Sequence, residues 1–357
     1  MQGRGTDHYL LIHAVSSFKL QAPSSNALPN FEIPSQHPSQ HTSQRSQLGF
    51  GGRESLGFWS LELGIGPSPI AVAALSSALD RLYADYNRED SAADPVNLVR
   101  PFARREDREV AGFCAAALAF GRVASVLASI STLFHILGDR PADYVRSFDP
   151  SAPHPELYAM VHRWTRGRDL AALLWILRQM LEHSGSVEKF FAEGWGEDDV
   201  DVGAALDGFS RRALALDVRR VYGRVPKRAG VCYFFPRPSA GSACKRLNLY
   251  LRWMVRNDAV DLGVWRTVRP GQLIVPLDTH VIRLAQCLRL TRYVSPGWRM
   301  AADITRHLRE MDPIDPVKFD FSICHVGMMN ACGFGRRQGD GQCPLKGHCH
   351  PRRRAVS

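Results

Sequence analysis

PLDTHVIRLAQCLRLT, residues 276–291, sets an aspartate at the head of one apolar helix. GSACKRLNLYLRWMVR, residues 241–256, sets a lysine at the head of another. LIVP (273–276) is a short apolar run stopped by Pro276; after it Val281, Ile282, Leu284, Ala285, Leu288 and Leu290 recur at helical spacing. Asp278 therefore stands at the N-cap, where a carboxylate accepts from the free amides of the first turn and the helix dipole favours its charge. The plain reading is a helix cap. The same placement keeps a carboxylate ionised for chemistry.

Lys245 precedes an apolar face made by Leu247, Tyr250, Leu251, Met254 and Val255. A first-turn lysine ordinarily points into solvent. In this chain, however, only 6 of the 45 basic residues are Lys and the other 39 are Arg. Where Arg is the default cation, a Lys is of interest for its amine, which alone can lose a proton and form a Schiff base.

Working outward, Ile70, Val72, Leu75, Leu79 and Leu82 predict a first helix from about Pro69 to about Tyr86. DREVAGFCAAALAFGRV from Asp107 predicts an Ala-rich helix packing Val110, Phe113, Cys114 and Ala117. The pattern continues through Val123, Val126, Leu127, Ile130 and Phe134 to a stop at Gly138. ALLWILRQML (172–181) and LDGFSRRALAL (206–216) add two more helices. Convincing period-two alternation is absent, so the fold class is all-α. The polar SQHPSQHTSQRSQ (35–47) marks residues 1–68 as a low-complexity tail expected to be disordered. A helical domain (69–331) and a Cys-rich basic loop (332–357) follow.

The chain of 357 residues is 45% hydrophobic and 22% charged, with a net charge of +10. This composition supports a full core and favours anionic partners, nucleic acid first. No run of 18 apolar residues suggests a membrane span. Tyr9–Val15 is too short and too broken by His13 for a secretory signal. An intracellular protein, cytoplasmic or nucleoid-associated and not secreted, is expected. Of eight Cys, those at 114, 232, 244 and 287 sit in apolar patterns and read as core residues, whereas Cys324, Cys332, Cys343 and Cys349 cluster.

LDTHVIRL resembles the (V/L)DTHV segment of the helix-hairpin-helix DNA glycosylase superfamily, which includes endonuclease III and the 8-oxoguanine glycosylases. The resemblance implies a catalytic Asp278 and, as in the bifunctional members, a catalytic Lys245. Lys245 precedes Asp278 by 33 positions, a long gap similar to that of the archaeal 8-oxoguanine glycosylases. LYADYNRED, DREVAGFCAAALAFGRV, GSACKRLNLYLRWMVR, PLDTHVIRLAQCLRLT and DPIDPVKFDF resemble an uncharacterised family, domain of unknown function 2400, placed near those enzymes.

The resemblance further implies two helical lobes flanking a cleft, DNA as partner and a monomer. An extruded base would stack on aromatics such as Tyr233, Phe234, Phe235, Trp253 or Trp265. His280, Arg246, Trp253, Arg256 and Arg283 become candidate DNA contacts. CPLKGHC (343–349) resembles the closing Cys-x5-Cys of the superfamily's [4Fe–4S] motif, with Asp340 where another Cys is usual. The resemblance implies Cys332, Cys343 and Cys349 as metal ligands, with Cys324, Asp340, His348 or His350 as the fourth. A cluster or a zinc ion would clamp the loop and present Arg336, Arg337, Lys346 and Arg352–Arg354 to phosphate. The LPGVG hairpin of endonuclease III is replaced by PSAGSACKR (238–246). The expected function is a base-excision DNA glycosylase, with AP-lyase activity through Lys245 and Asp278, acting on a damaged base such as an oxidised purine. The alternatives are a non-catalytic nucleic-acid binder on the same scaffold and an enzyme acting on RNA or a nucleoside.

Overall fold

The computed structural model describes residues 69–89, 94–328 and 343–349. The expectations for the 1–68 tail, Cys332, Asp340, His350, Arg336, Arg337 and Arg352–Arg354 lie outside these residues. The described part is mostly helical, in keeping with the expected all-α class. In chain order come α1 (Pro69–Tyr86), α2 (Val96–Val99), α3 (Arg105–Leu118), α4 (Val123–Leu137), α5 (Pro141–Ser147) and α6 (Pro155–Ala159). After a small hairpin follow α7 (Gly167–Ser184), α8 (Val187–Ala192), α9 (Gly203–Ala215), α10 (Arg219–Tyr222), α11 (Lys245–Val255), α12 (Thr279–Cys287), α13 (Trp298–Met311) and α14 (Asp320–Met328). The first helix has the predicted bounds, and Gly138 ends α4 with φ 67°. No described helix is long and apolar enough to cross a membrane.

The pattern read as continuous from Asp107 to Gly138 is broken at Ala119–Arg122, where the chain turns between α3 and α4. The small hairpin was not foreseen. It pairs β1 (Val161–His162) with β2 (Thr165–Arg166), placing Val161 opposite Arg166 and His162 opposite Thr165. Two-residue strands are too short to carry a period-two signal.

α3 is the centre of the core. From Glu109 to Leu118 it is buried on every side, which its run of small residues permits. Gly112 faces α11: a Cβ there would meet Met254 Cε at 2.8 Å and Tyr250 Cε2 at 3.4 Å. The missing side chain lets the two helices cross closely. Phe113 packs on Phe209, Phe235 and Tyr250 at ring separations of 5.0–6.1 Å. Each large apolar side chain buried here contributes roughly 1.5–3 kcal/mol. One continuous set of buried residues runs from Leu75 to Leu345, and the described residues all fall within one compact unit.

α11 is buried on its polar side as well, through an ion network. Arg252 contacts Asp94 at 2.6 Å, Asp261 at 3.1 Å and Asp320 at 2.6 Å. Arg256 pairs with Asp258, Asp261 and Asp315. These contacts tie α11 to the loops before α2 and after α11 and to α14. Desolvating such charges is costly, so the pairs act chiefly as positional constraints.

Candidate active site

Lys245 opens α11, and the residue before it sets its direction. Cys244 adopts a left-handed φ of 49°, following a turn through Pro238–Ala240 and Gly241. Asp278 opens α12. The extended run Leu273–Leu277 before it is buried and pinned by the Val275 amide, which donates to Thr305 Oγ1 at 3.0 Å. Asp278 is the expected N-cap: its Oδ1 accepts from the His280 and Val281 amides, both at 2.8 Å.

The capping geometry leaves Oδ2 for other partners. Lys245 Nζ stands 3.8 Å from it, and the Cys324 thiol donates to it at 3.3 Å. The three groups arrive from α11, α12 and α14, so the tertiary fold brings together residues spread over 80 positions of chain. The Lys245 side chain is 39% exposed and that of Asp278 17%, so the pair faces a solvent-reachable space with the carboxylate set deeper. Burial, reinforced by the charges of Asp278 and Asp320, raises the Cys324 thiol well above its ordinary range. It therefore stays protonated and acts as a donor.

Lys245, Asp278 and Cys324 line a cavity of about 210 Å³ whose walls also include Phe120, Gly121, Leu249, Pro276, Phe321 and Met328. Its polar lining includes Asp94, Arg252, Asp320, His280 and His325. Asp320 Oδ1, His280 Nδ1 and His325 Nδ1 are buried without a hydrogen-bond partner among the described residues. Burial pushes the Asp320 carboxyl up to about 6, against the attraction of Arg252. Burial also lowers His325, whose ring lies 4.4 Å from that of Phe321.

The other predicted contacts divide sharply. Arg283 is exposed on α12. His280 lines the cavity and is wedged against α14: a Cβ on Gly327 would lie 2.6 Å from His280 Cβ. Arg246, Trp253 and Arg256 do not form a DNA-facing surface. Arg246 is 8% exposed and donates to the carbonyls of Ala117 and Tyr233. Trp253 is completely buried, and Arg256 is locked in the ion network. Their polarity suggests a surface. In the fold, buried aspartates neutralise Arg256 while carbonyls and aromatic rings enclose Arg246. Phe234, Phe235 and Trp265 are also core residues, while Tyr233 is 39% exposed.

Sequence reasoning missed Phe120, Cys324 as the partner of Asp278, and Asp320 and His325 in the cavity lining. The DPIDPVKFDF segment runs up to α14, but no spacing rule relates α14 to Asp278. Of the C-terminal ligand candidates, Cys343 is buried and Cys349 is packed against the core at the ends of a turn. That turn is closed by amides of Lys346 and His348 donating to Cys343 and Leu345 carbonyls at 3.0 and 3.1 Å. Lys346 is exposed and His348 half-buried. Cys324 is engaged at the cavity instead. Among the described residues no three His, Cys, Asp or Glu side chains converge as a metal site.

No curated protein and no solved structure matches the chain. Residues 94–329, which hold Lys245, Asp278, Cys324 and the whole cavity, match the family model described as a protein of unknown function, DUF2400, and the chain belongs to that family.

Proposed function

We propose that this protein is a DNA glycosylase with AP-lyase activity, on a two-lobed helix-hairpin-helix-like scaffold, acting on a damaged base extruded into the cavity. The supporting observation is the approach of Lys245 Nζ to 3.8 Å from Asp278 Oδ2 at that cavity. Ionised, the Asp278 carboxylate offsets the positive charge that develops on the sugar as the carbon–nitrogen bond to the base stretches. The base leaves with the bonding electrons and takes up a proton. An amine must shed a proton to attack, and Oδ2 is placed to accept it as Nζ bonds to the anomeric carbon. A second Nζ proton passes to the ring oxygen as the bond between that oxygen and the anomeric carbon breaks, and the Schiff base that results permits strand cleavage by β-elimination.

Borohydride reduction tests this directly. The protein is expected to be trapped covalently on abasic DNA, and Lys245→Gln and Lys245→Arg are expected to abolish trapping, because neither side chain forms a Schiff base. Undiminished trapping by both variants would remove Lys245 from the mechanism. DNA binding without trapping by the unaltered protein would favour a non-catalytic binder.

A further inference from the structure

Exposed large apolar side chains are few among the described residues, yet Trp164 (52% exposed) and Tyr233 (39%) meet beside the cavity wall that carries Val123 (44%). Both touch Phe120, which lines the cavity with Gly121 and Val123. Trp164 stacks on Phe120 at 4.8 Å and 29° and meets Tyr233 edge-on at 5.2 Å. The buried Arg246 guanidinium lies 3.8 Å over Tyr233 and 5.2 Å over Phe120. The aromatic group is thus continuous with α11 one residue from Lys245.

The hairpin that carries Trp164 is anchored through His162. His162 is 3% exposed, and its ring nitrogens reach the Phe120 carbonyl and Ser129 Oγ, both at 2.9 Å. A carbonyl only accepts, so Nε2 carries the proton toward Phe120. The turn is made by Arg163 in a left-handed conformation, φ 55°. The Arg163 side chain lies against Gly121, where an added Cβ would sit 3.2 Å from its Cδ and Nη1, and reaches over the indole at 5.0 Å. Arg122, Arg163, Arg166 and Arg168 are all exposed around this tip, and none has an ion pair among the described residues.

We propose that Phe120, Trp164 and Tyr233 form a stacking platform for an unpaired base of single-stranded DNA, next to the nucleotide that enters the cavity. This rests on the reading of the cavity as a DNA site and extends it to the state of the substrate. A base can take the place of the exposed Arg163 guanidinium over the indole, and an aromatic side chain held in place loses little entropy when a base stacks on it. Base stacking tolerates any sequence. The unpaired arginines supply the complementary charge for the flanking phosphates. A protein partner would call for a wider, less charged apolar patch. A continuous duplex would keep its bases from the platform, so strands with unpaired bases beside the lesion are the preferred substrate.

Fluorescence anisotropy with two labelled single strands of equal length and charge tests this. One carries normal bases around a central stable abasic analogue; the other is a base-less spacer strand. The unaltered protein is expected to bind the first more tightly, and Trp164→Ala to weaken that binding by about tenfold. Trp164→Ala should leave the spacer strand and the salt dependence unchanged, because no charge is lost. Trp164→Phe should restore binding. Arg163→Gln should flatten the salt dependence on both strands.

Equal binding of the first strand by Trp164→Ala, or equal weakening on both strands, would overturn the platform. So would preference for an RNA strand of the same sequence over the DNA strand. Borohydride trapping of the unaltered protein is read in parallel. A Trp164-dependent difference without trapping keeps the platform and removes the lyase reading. Trapping without that difference does the reverse.

Discussion

Cys324 donates its thiol from α14 to Asp278 Oδ2 at the head of α12, across 3.3 Å. Asp278 thereby divides its two oxygens. Oδ1 serves the helix and Oδ2 serves the cavity, where Lys245 and Cys324 share it. A neutral donor holds the carboxylate in place without neutralising it, as a second cation would.

Cys324→Ser keeps a hydroxyl donor and is expected to leave trapping and base excision close to normal. Cys324→Ala removes the donor and should lower the single-turnover rate by a few fold while DNA affinity stays the same, since a net hydrogen bond is worth about 1 kcal/mol. Equal rates for the Ser and Ala variants would show that the thiol contact does not position Asp278.

Asp278→Asn separates the structural from the chemical role. The amide oxygen can still accept from the His280 and Val281 amides, so the melting temperature should change little. Asp278→Ala loses both contacts and should cost about 1–2 kcal/mol. Base excision should fall by at least about a hundredfold in both, as charge stabilisation is lost. Single-turnover assays beside thermal melts decide this; normal excision by Asp278→Asn would reduce the residue to a cap.

Glu109, on α3, is 1% exposed, and burial raises its carboxyl from 4.5 to about 7. Its folded value exceeds its unfolded one, so its contribution is fully present below about pH 4.5 and is lost as the pH rises through about 7. Glu109→Gln keeps an oxygen for the Glu188 amide, which Glu109 Oε1 accepts at 3.3 Å. Relative to the unaltered protein it should gain stability between pH 5 and pH 8, by on the order of 2–3 kcal/mol. Urea unfolding at the two pH values measures this. An identical difference at both would mean that Glu109 does not titrate as argued.

Cys343 and Cys349 close a packed turn, and the metal reading of the C-terminal loop gives a definite expectation. Protein purified anaerobically should carry iron with a broad brown absorbance, or about one zinc ion per chain. Cys343→Ser should lower the content. Elemental analysis finding neither metal in aerobic and anaerobic preparations would end this idea.

Much of the local structure was legible from the residues alone. α1, α7, α9, α11 and α12 follow from apolar spacing, because side chains three and four apart share a face whatever the rest of the chain does. The cap at Asp278 is equally local: Pro276 ends an extended run, and a carboxylate takes the first free amides. Lys245 and Asp278 could be singled out as chemical types at helix heads. Their approach to 3.8 Å, the thiol between α14 and Asp278, and the burial of Arg246, Trp253 and Arg256 were decided only in three dimensions. These depend on which helices pack together, and on whether a charged side chain finds its counter-charge inside. An arginine facing three aspartates, as Arg252 does, looks the same in a linear chain as one facing water. The position of Trp164 beside Phe120 likewise belongs to the tertiary structure. A two-residue strand pair has no periodicity to read, and His162 fixes it only through contacts to residues 33 and 42 positions away.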